Sequence, residues 1–192
     1  MSMPMPVAVG LWVALGVGIL LVMWRGWRGS MARGAGAVGT LPVVPDGAGL
    51  GAARTDAIVG TYVSSTMAGD WLGRVVAHDL GVRSSATVQV FDAGVVIERR
   101  GAADVFVPAG VLRGVRRVAG MAGKYVGGEG IVVIEWSASS PDGAPVPLDT
   151  GIRTQRASDR SILVDAVGAL TASAVVGPYV SPDSQFDSKE PQ

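Results

Sequence analysis

The sequence predicts a mainly β domain with one C-terminal α-helix, preceded by a single transmembrane helix. Three observations carry that prediction. They are an uncharged apolar N-terminus, a series of short β-patterned runs between residues 57 and 152, and one amphipathic helical stripe after Ser158.

The N-terminal element comes first. Residues 1–24 carry no charged side chain, and 18 of them are apolar. The unbroken stretch from Val7 to Trp24, at about 1.5 Å per residue, reaches roughly 27 Å, near the thickness of a bilayer core. Trp24 and Trp27 stand at its exit, where indoles favour the interface. Arg25, Arg28 and Arg33 follow the stretch and no side-chain cation precedes it. The positive-inside bias then places the N-terminus outside and the C-terminal domain in the cytoplasm of a single-pass cell-membrane protein. A cleaved signal peptide would carry its basic residues before the apolar core. Gly10, Ala14 and Gly18 repeat every fourth residue and offer a small-residue surface to another helix.

Composition narrows the function classes. The 192 residues include 16 basic and 16 acidic side chains, no cysteine and one histidine, His78. Without cysteine there is no disulfide, thiolate metal site or Cys nucleophile. One histidine precludes a multi-histidine metal site within one chain. Zero net charge argues against general nucleic-acid binding. No cofactor or metal is expected.

Residues 1–29 are read as the membrane helix with its basic flank, and residues 30–55, rich in Gly, Ala and Pro, as a flexible linker. Gly34, Gly36 and Gly39 there make a formal GxGxxG. A dinucleotide site needs a strand before and a helix after it, whereas here a membrane exit precedes and Pro42 follows. The domain is placed at 56–174. Beyond residue 24 there are 26 valines against 8 leucines, a bias towards strands. Strand-like runs fall at 57–66, 86–91, 95–100, 104–107, 115–118, 131–137 and 146–152. Asp92-Ala-Gly94, the glycines at 127–130 and Ser139-Ser-Pro-Asp-Gly143 read as turns. Ser158 can cap a helix in which Ile162, Leu163, Ala166, Val167 and Leu170 form one stripe. The polar, proline-containing residues 175–192 read as a disordered tail.

About seven antiparallel strands and a closing helix make the plan of a pleckstrin-homology-like small barrel; an open two-layer α+β sheet is the competing plan. The segments Gly69-Asp-Trp-Leu72, His78-Asp-Leu-Gly-Val-Arg-Ser84, Val90-Phe-Asp-Ala-Gly-Val95, Leu112-Arg-Gly-Val-Arg-Arg117, Gly120-Met-Ala-Gly-Lys-Tyr-Val126 and Leu148-Asp-Thr-Gly151 carry a family likeness. The chain resembles actinobacterial single-pass membrane proteins with a cytoplasmic pleckstrin-homology-like domain, often labelled export or membrane proteins or transporters. The resemblance spans residues 7–173. It implies the fold and membrane attachment, and names no activity.

Chemistry-bearing patterns are few. His78-Asp79 is the one His–acid neighbour pair, but adjacent strand residues point to opposite faces. No GxSxG, Walker or HExxH pattern occurs. The chain is therefore read as non-enzymatic, with no catalytic residues. Glu98 and Glu135 read as solvated strand residues with local Arg partners. The basic cluster Arg113, Arg116, Arg117 and Lys124, together with Tyr125, is the candidate surface for a protein partner or an anionic leaflet, with Arg99 and Arg100 near it in sequence. On a strand, Arg116 and Arg117 face opposite sides. Residues 120–126 read as a hairpin whose glycines supply positive φ, or as a partner-binding loop on a rigid scaffold. The reading is a membrane-anchored binding or scaffold module. Its partners are the bilayer, through the N-terminal helix, and an unidentified protein. The alternative is an accessory subunit of a membrane export or transport complex.

Overall fold

The computed structural model describes residues 12, 14–23, 38–70, 73–125 and 127–175. Residues 14–23 form helix α1, with exposed side chains. The remainder of the expected span lies outside the described residues. Among the described residues no helix is long and apolar enough to cross a membrane.

The strands follow the alternation in the sequence. They are β1 (Ile58–Met67), β2 (Ser84–Phe91), β3 (Gly94–Arg99), β4 (Val105–Pro108), β5 (Leu112–Val118), the short pair β6 (Gly120–Met121) and β7 (Lys124–Tyr125), then β8 (Ile131–Ser139) and β9 (Pro145–Thr154). Seven of them form one sheet in the order β4-β3-β2-β1-β9-β8-β5. Every neighbouring pair is antiparallel. Short connections join β2 to β3, β3 to β4 and β8 to β9, whereas residues 68–83, with a 3₁₀ turn at Ala77–Asp79, separate β1 from β2.

Inward positions at every second residue build the core. Val88, Val90, Val95 and Ile97 from β2 and β3 meet Ile134, Trp136, Leu148 and Ile152 from β8 and β9. Helix α3 (Ser158–Val175) closes this core with Leu163, Val167 and Leu170, after the single helical turn α2 (Gly47–Leu50) earlier in the chain. Ile162, expected in the stripe, is 49% exposed and sits beside it. Ser158 is the first helical residue, and its Oγ donates to Asp159 Oδ1 at 3.2 Å. α3 touches β5 and β8 at one end of the sheet order and β2 towards the other, so the sheet curls around the helix. A 3₁₀ turn at Ala109–Val111 links β4 to β5, the two edge strands.

A chain of hydroxyls crosses the core. Trp136 Nε1 donates to Thr150 Oγ1 (2.8 Å), and Tyr62 OH donates to the Leu80 carbonyl (2.8 Å). Between them, Thr150 Oγ1 lies 2.6 Å from Ser65 Oγ, which lies 2.7 Å from Tyr62 OH. The ends set the direction: the indole can only donate and the carbonyl can only accept. Protons therefore run from Trp136 through Thr150, Ser65 and Tyr62 to Leu80. Burial pushes the Tyr62 phenol up to about 12, so it remains a donor.

Residues 38–55 fall within the stretch expected to be a linker, and they contact the sheet. Val38 is 5% exposed in the main core. Gly39 N donates to the Ser139 carbonyl (2.7 Å), and Arg54 N and Asp92 N join this segment to the end of β2. Contacts to the sheet thus start ahead of the expected boundary at 56, because an apolar residue at 38 and free backbone groups find partners at the sheet ends.

Candidate functional site

The basic cluster is organised by β5. Register pairs Leu112 with Trp136, then Gly114 with Glu135, leaving Arg113 as the extra residue of a bulge. The bulge keeps Leu112 inward opposite Trp136 while Glu135 turns outward. Arg113 is exposed and its Nε donates to Ser137 Oγ at 2.8 Å. A Cβ on residue 114 would lie 2.8 Å from Glu135 Oε2, so glycine leaves that carboxylate its place.

Arg116 uses its fork on two carboxylates. Its Nε meets Glu135 Oε1 at 2.5 Å, and its NH2 group meets Asp149 Oδ2 at 2.8 Å. Asp149 lies opposite Glu135 in the β8–β9 register and is buried. Burial holds the Asp149 carboxyl above its ordinary value; Arg116 pulls it down and the Glu135 charge adds to the rise. Arg116 is thus already neutralised. Arg117 is exposed, and neither it nor Arg113 has a carboxylate partner among the described residues. Alternation sends Arg117 to the side of the strand opposite Arg116.

Lys124 and Tyr125 lie in β7, which pairs with β6 through Gly120–Tyr125 and Met121–Lys124. Ala122 (φ 52°) and Gly123 (φ 75°) make the tight turn between them, with both central residues left-handed. The hairpin covers a small second core on the outer sheet face, where Met121 and Ala122 pack with Val63, Ile131 and Val133. Arg74 NH2 donates to the Ala122 carbonyl at 2.9 Å. At Gly151 a Cβ would run into Met121 Sδ, so the hairpin sits in a notch only glycine provides. The structure thus brings Arg113, Arg116 and Arg117 onto one strand and sets Lys124 and Tyr125 in the hairpin that follows it.

Arg99 and His78 serve the fold. Arg99 is 5% exposed. Its Nε donates to the Ala103 carbonyl (2.6 Å), and its two NH groups donate to the carbonyls of Asp79 (2.9 Å) and His78 (3.2 Å). His78 and Asp79 are both left-handed, at φ 54° and 56°. His78 Nε2 lies 2.5 Å from the Gly39 carbonyl. Gly39, the last glycine of the GxGxxG, packs on the Ser140–Pro141 backbone; Gly34 and Gly36 lie outside the described residues. Among the described residues no group of three or more His, Asp or Glu could hold a metal ion.

A groove of about 550 Å³ lies beside the start of β5. Leu112, Arg113, Ser137, Ser139, Pro145 and Thr171 are among the residues that line it. No local motif marks it, because its lining is gathered from the 3₁₀ turn before β5, from β5, β8, the β8–β9 turn, the start of β9 and α3.

The curled seven-stranded sheet, closed by one C-terminal helix, is what the comparison with known families meets. The family model described as Bacterial PH domain-like matches residues 38–168. The chain belongs to this family. The match starts at Val38, the first core residue among the described residues of this PH-like domain. No curated protein matches the chain. A PH-like domain points to a binding or scaffold module, and within this one β5 presents the exposed cations beside a groove.

Proposed function

We propose that the chain is a membrane-anchored, non-enzymatic binding or scaffold module. Its N-terminus lies outside, and its PH-like domain presents the β5 edge to a protein partner in the cytoplasm. The observation that carries the binding surface is the pair Arg113 and Arg117, exposed on an edge strand with no carboxylate of their own among the described residues. Such cations attract an acidic surface and steer its approach. The anchor rests on the uncharged residues 1–24 and the arginines after them. The exposed apolar side chains of the described helical residues, such as Leu20, Val22 and Met23, support it. Tethering raises the local concentration of a weak partner, so a modest interface suffices.

The absence of cysteine permits a direct topology test. In intact cells, Ser2→Cys reacts with a membrane-impermeant maleimide, and Ala144→Cys reacts only after permeabilisation. Recovery of the chain in the soluble fraction, or the reverse labelling pattern, contradicts the reading.

A further inference from the structure

We propose that the groove beside β5 is occupied in cis by the chain's own segment 176–192, held by its aromatic and acidic side chains. The proposal rests on the reading of the β5 edge as the binding surface and names a first occupant for it.

Position comes first. Thr171 lines the groove and lies about one turn before Val175, the last residue of α3. The segment therefore leaves the helix at the mouth of the groove. Its 17 residues extend up to about 56 Å, whereas a strand of β5's length runs about 23 Å. Tyr179, four residues past the helix end, can turn back to the groove, and the residues after it still reach Arg117.

Chemistry comes second. The groove lining combines the apolar Leu112 and Pro145 with Ser137, Ser139 and Arg113. Segment 176–192 carries Asp183, Asp187 and Glu190 against the single cation Lys189, with Tyr179 and Phe186 among them. Its carboxylates complement Arg113 and Arg117, the two β5 cations with no carboxylate partner among the described residues. Pro178 and Pro182 have no N–H to give to the β5 edge, which limits backbone pairing there and leaves side chains as the main contact. Attachment to the same molecule keeps the effective concentration of the segment high. Contacts too weak to hold a free peptide then suffice. A partner of the same chemistry must displace the segment before it binds.

The test uses the full chain, reconstituted in lipid vesicles, with spin labels at Ala144→Cys on the groove rim and Ser184→Cys. Double electron–electron resonance is expected to give one narrow short-distance peak that survives dilution with unlabelled chain. Asp183→Lys with Asp187→Lys abolishes the peak. Adding Arg113→Glu with Arg117→Glu restores it, which separates a charge contact from a damaged fold. A broad distribution for the starting pair overturns the proposal, as does a peak indifferent to charge reversal. A peak that disappears on dilution assigns the groove to the segment of a second copy and overturns it too. A dispersed segment combined with partner capture that still needs Arg113 and Arg117 overturns the cis occupant alone and leaves the binding surface in place.

Discussion

The guanidinium carbon of Arg99 lies 4.7 Å from the centre of the Tyr62 ring. Two buried residues on different strands thus lock together the hydroxyl chain of the core and the left-handed turn at His78–Asp79. Tyr62 supplies the chain's last hydroxyl, and Arg99 supplies the donors for three backbone carbonyls.

Replacing Arg99 with Met removes its hydrogen bonds to the carbonyls of Ala103, His78 and Asp79, the last of which keeps the Val82 N–H, and removes the cation from the ring. Three lost part-buried hydrogen bonds from a charged donor and a lost cation–π contact together cost about 2–4 kcal/mol. Urea denaturation of Arg99→Met should show a lower midpoint. Hydrogen exchange should rise first at residues 77–81. Arg99→Lys should rescue little, because one ammonium cannot span three separated carbonyls.

Asp149 gives the protein a pH signature. Its folded carboxyl titrates above its ordinary value, so the folded state holds the proton more tightly than the unfolded state. The contribution of this group is therefore fully present below the ordinary value and is lost as pH rises through the higher folded value. The stability of wild type relative to Asp149→Asn should fall over that window. In Arg116→Met the fall should move to higher pH, since the charge that lowers the carboxyl is gone. Parallel stability curves for wild type and Asp149→Asn would sink this account.

Gly151 and Met121 fix the β6–β7 hairpin. Gly151→Ala forces Met121 out of its notch, and overpacking of this kind costs about 1–3 kcal/mol. Met121→Ala in the same chain should recover part of the loss, because the shorter side chain clears the new methyl. A double-mutant cycle by thermal denaturation measures the coupling; strictly additive effects would place the clash elsewhere.

Much of the fold could be read in the sequence, because period-two alternation is a local signal. Every strand of the main sheet was anticipated within a few residues. The largest shortfall was the start of β5: Arg113 and Gly114 disfavour a strand locally, yet Leu112 is held inward by Trp136 across a bulge. Arg99 had a readable signal, since it continues the inward series Val95, Ile97, Arg99, and the charge obscured it. Other features depend on partners distant in sequence. Arg116 meets carboxylates 19 and 33 residues away, and the groove is assembled from segments spread between Gly110 and Thr171, so neither leaves a local motif. Residues 120–126 showed their turn glycines in sequence, but the notch at Gly151 that receives the hairpin emerges only in three dimensions.

The central claim is that Arg113 and Arg117 form the working edge of a membrane-tethered binding domain. Crosslinking and mass spectrometry of the full-length chain in its native membrane, wild type against Arg113→Glu with Arg117→Glu, tests it most directly. Exposed substitutions of this kind change stability by about 0.5 kcal/mol or less, so the variant stays folded. The account predicts that it also stays in the membrane fraction and loses the crosslinks formed at β5. Capture of the same partner by the variant at undiminished yield would contradict the account.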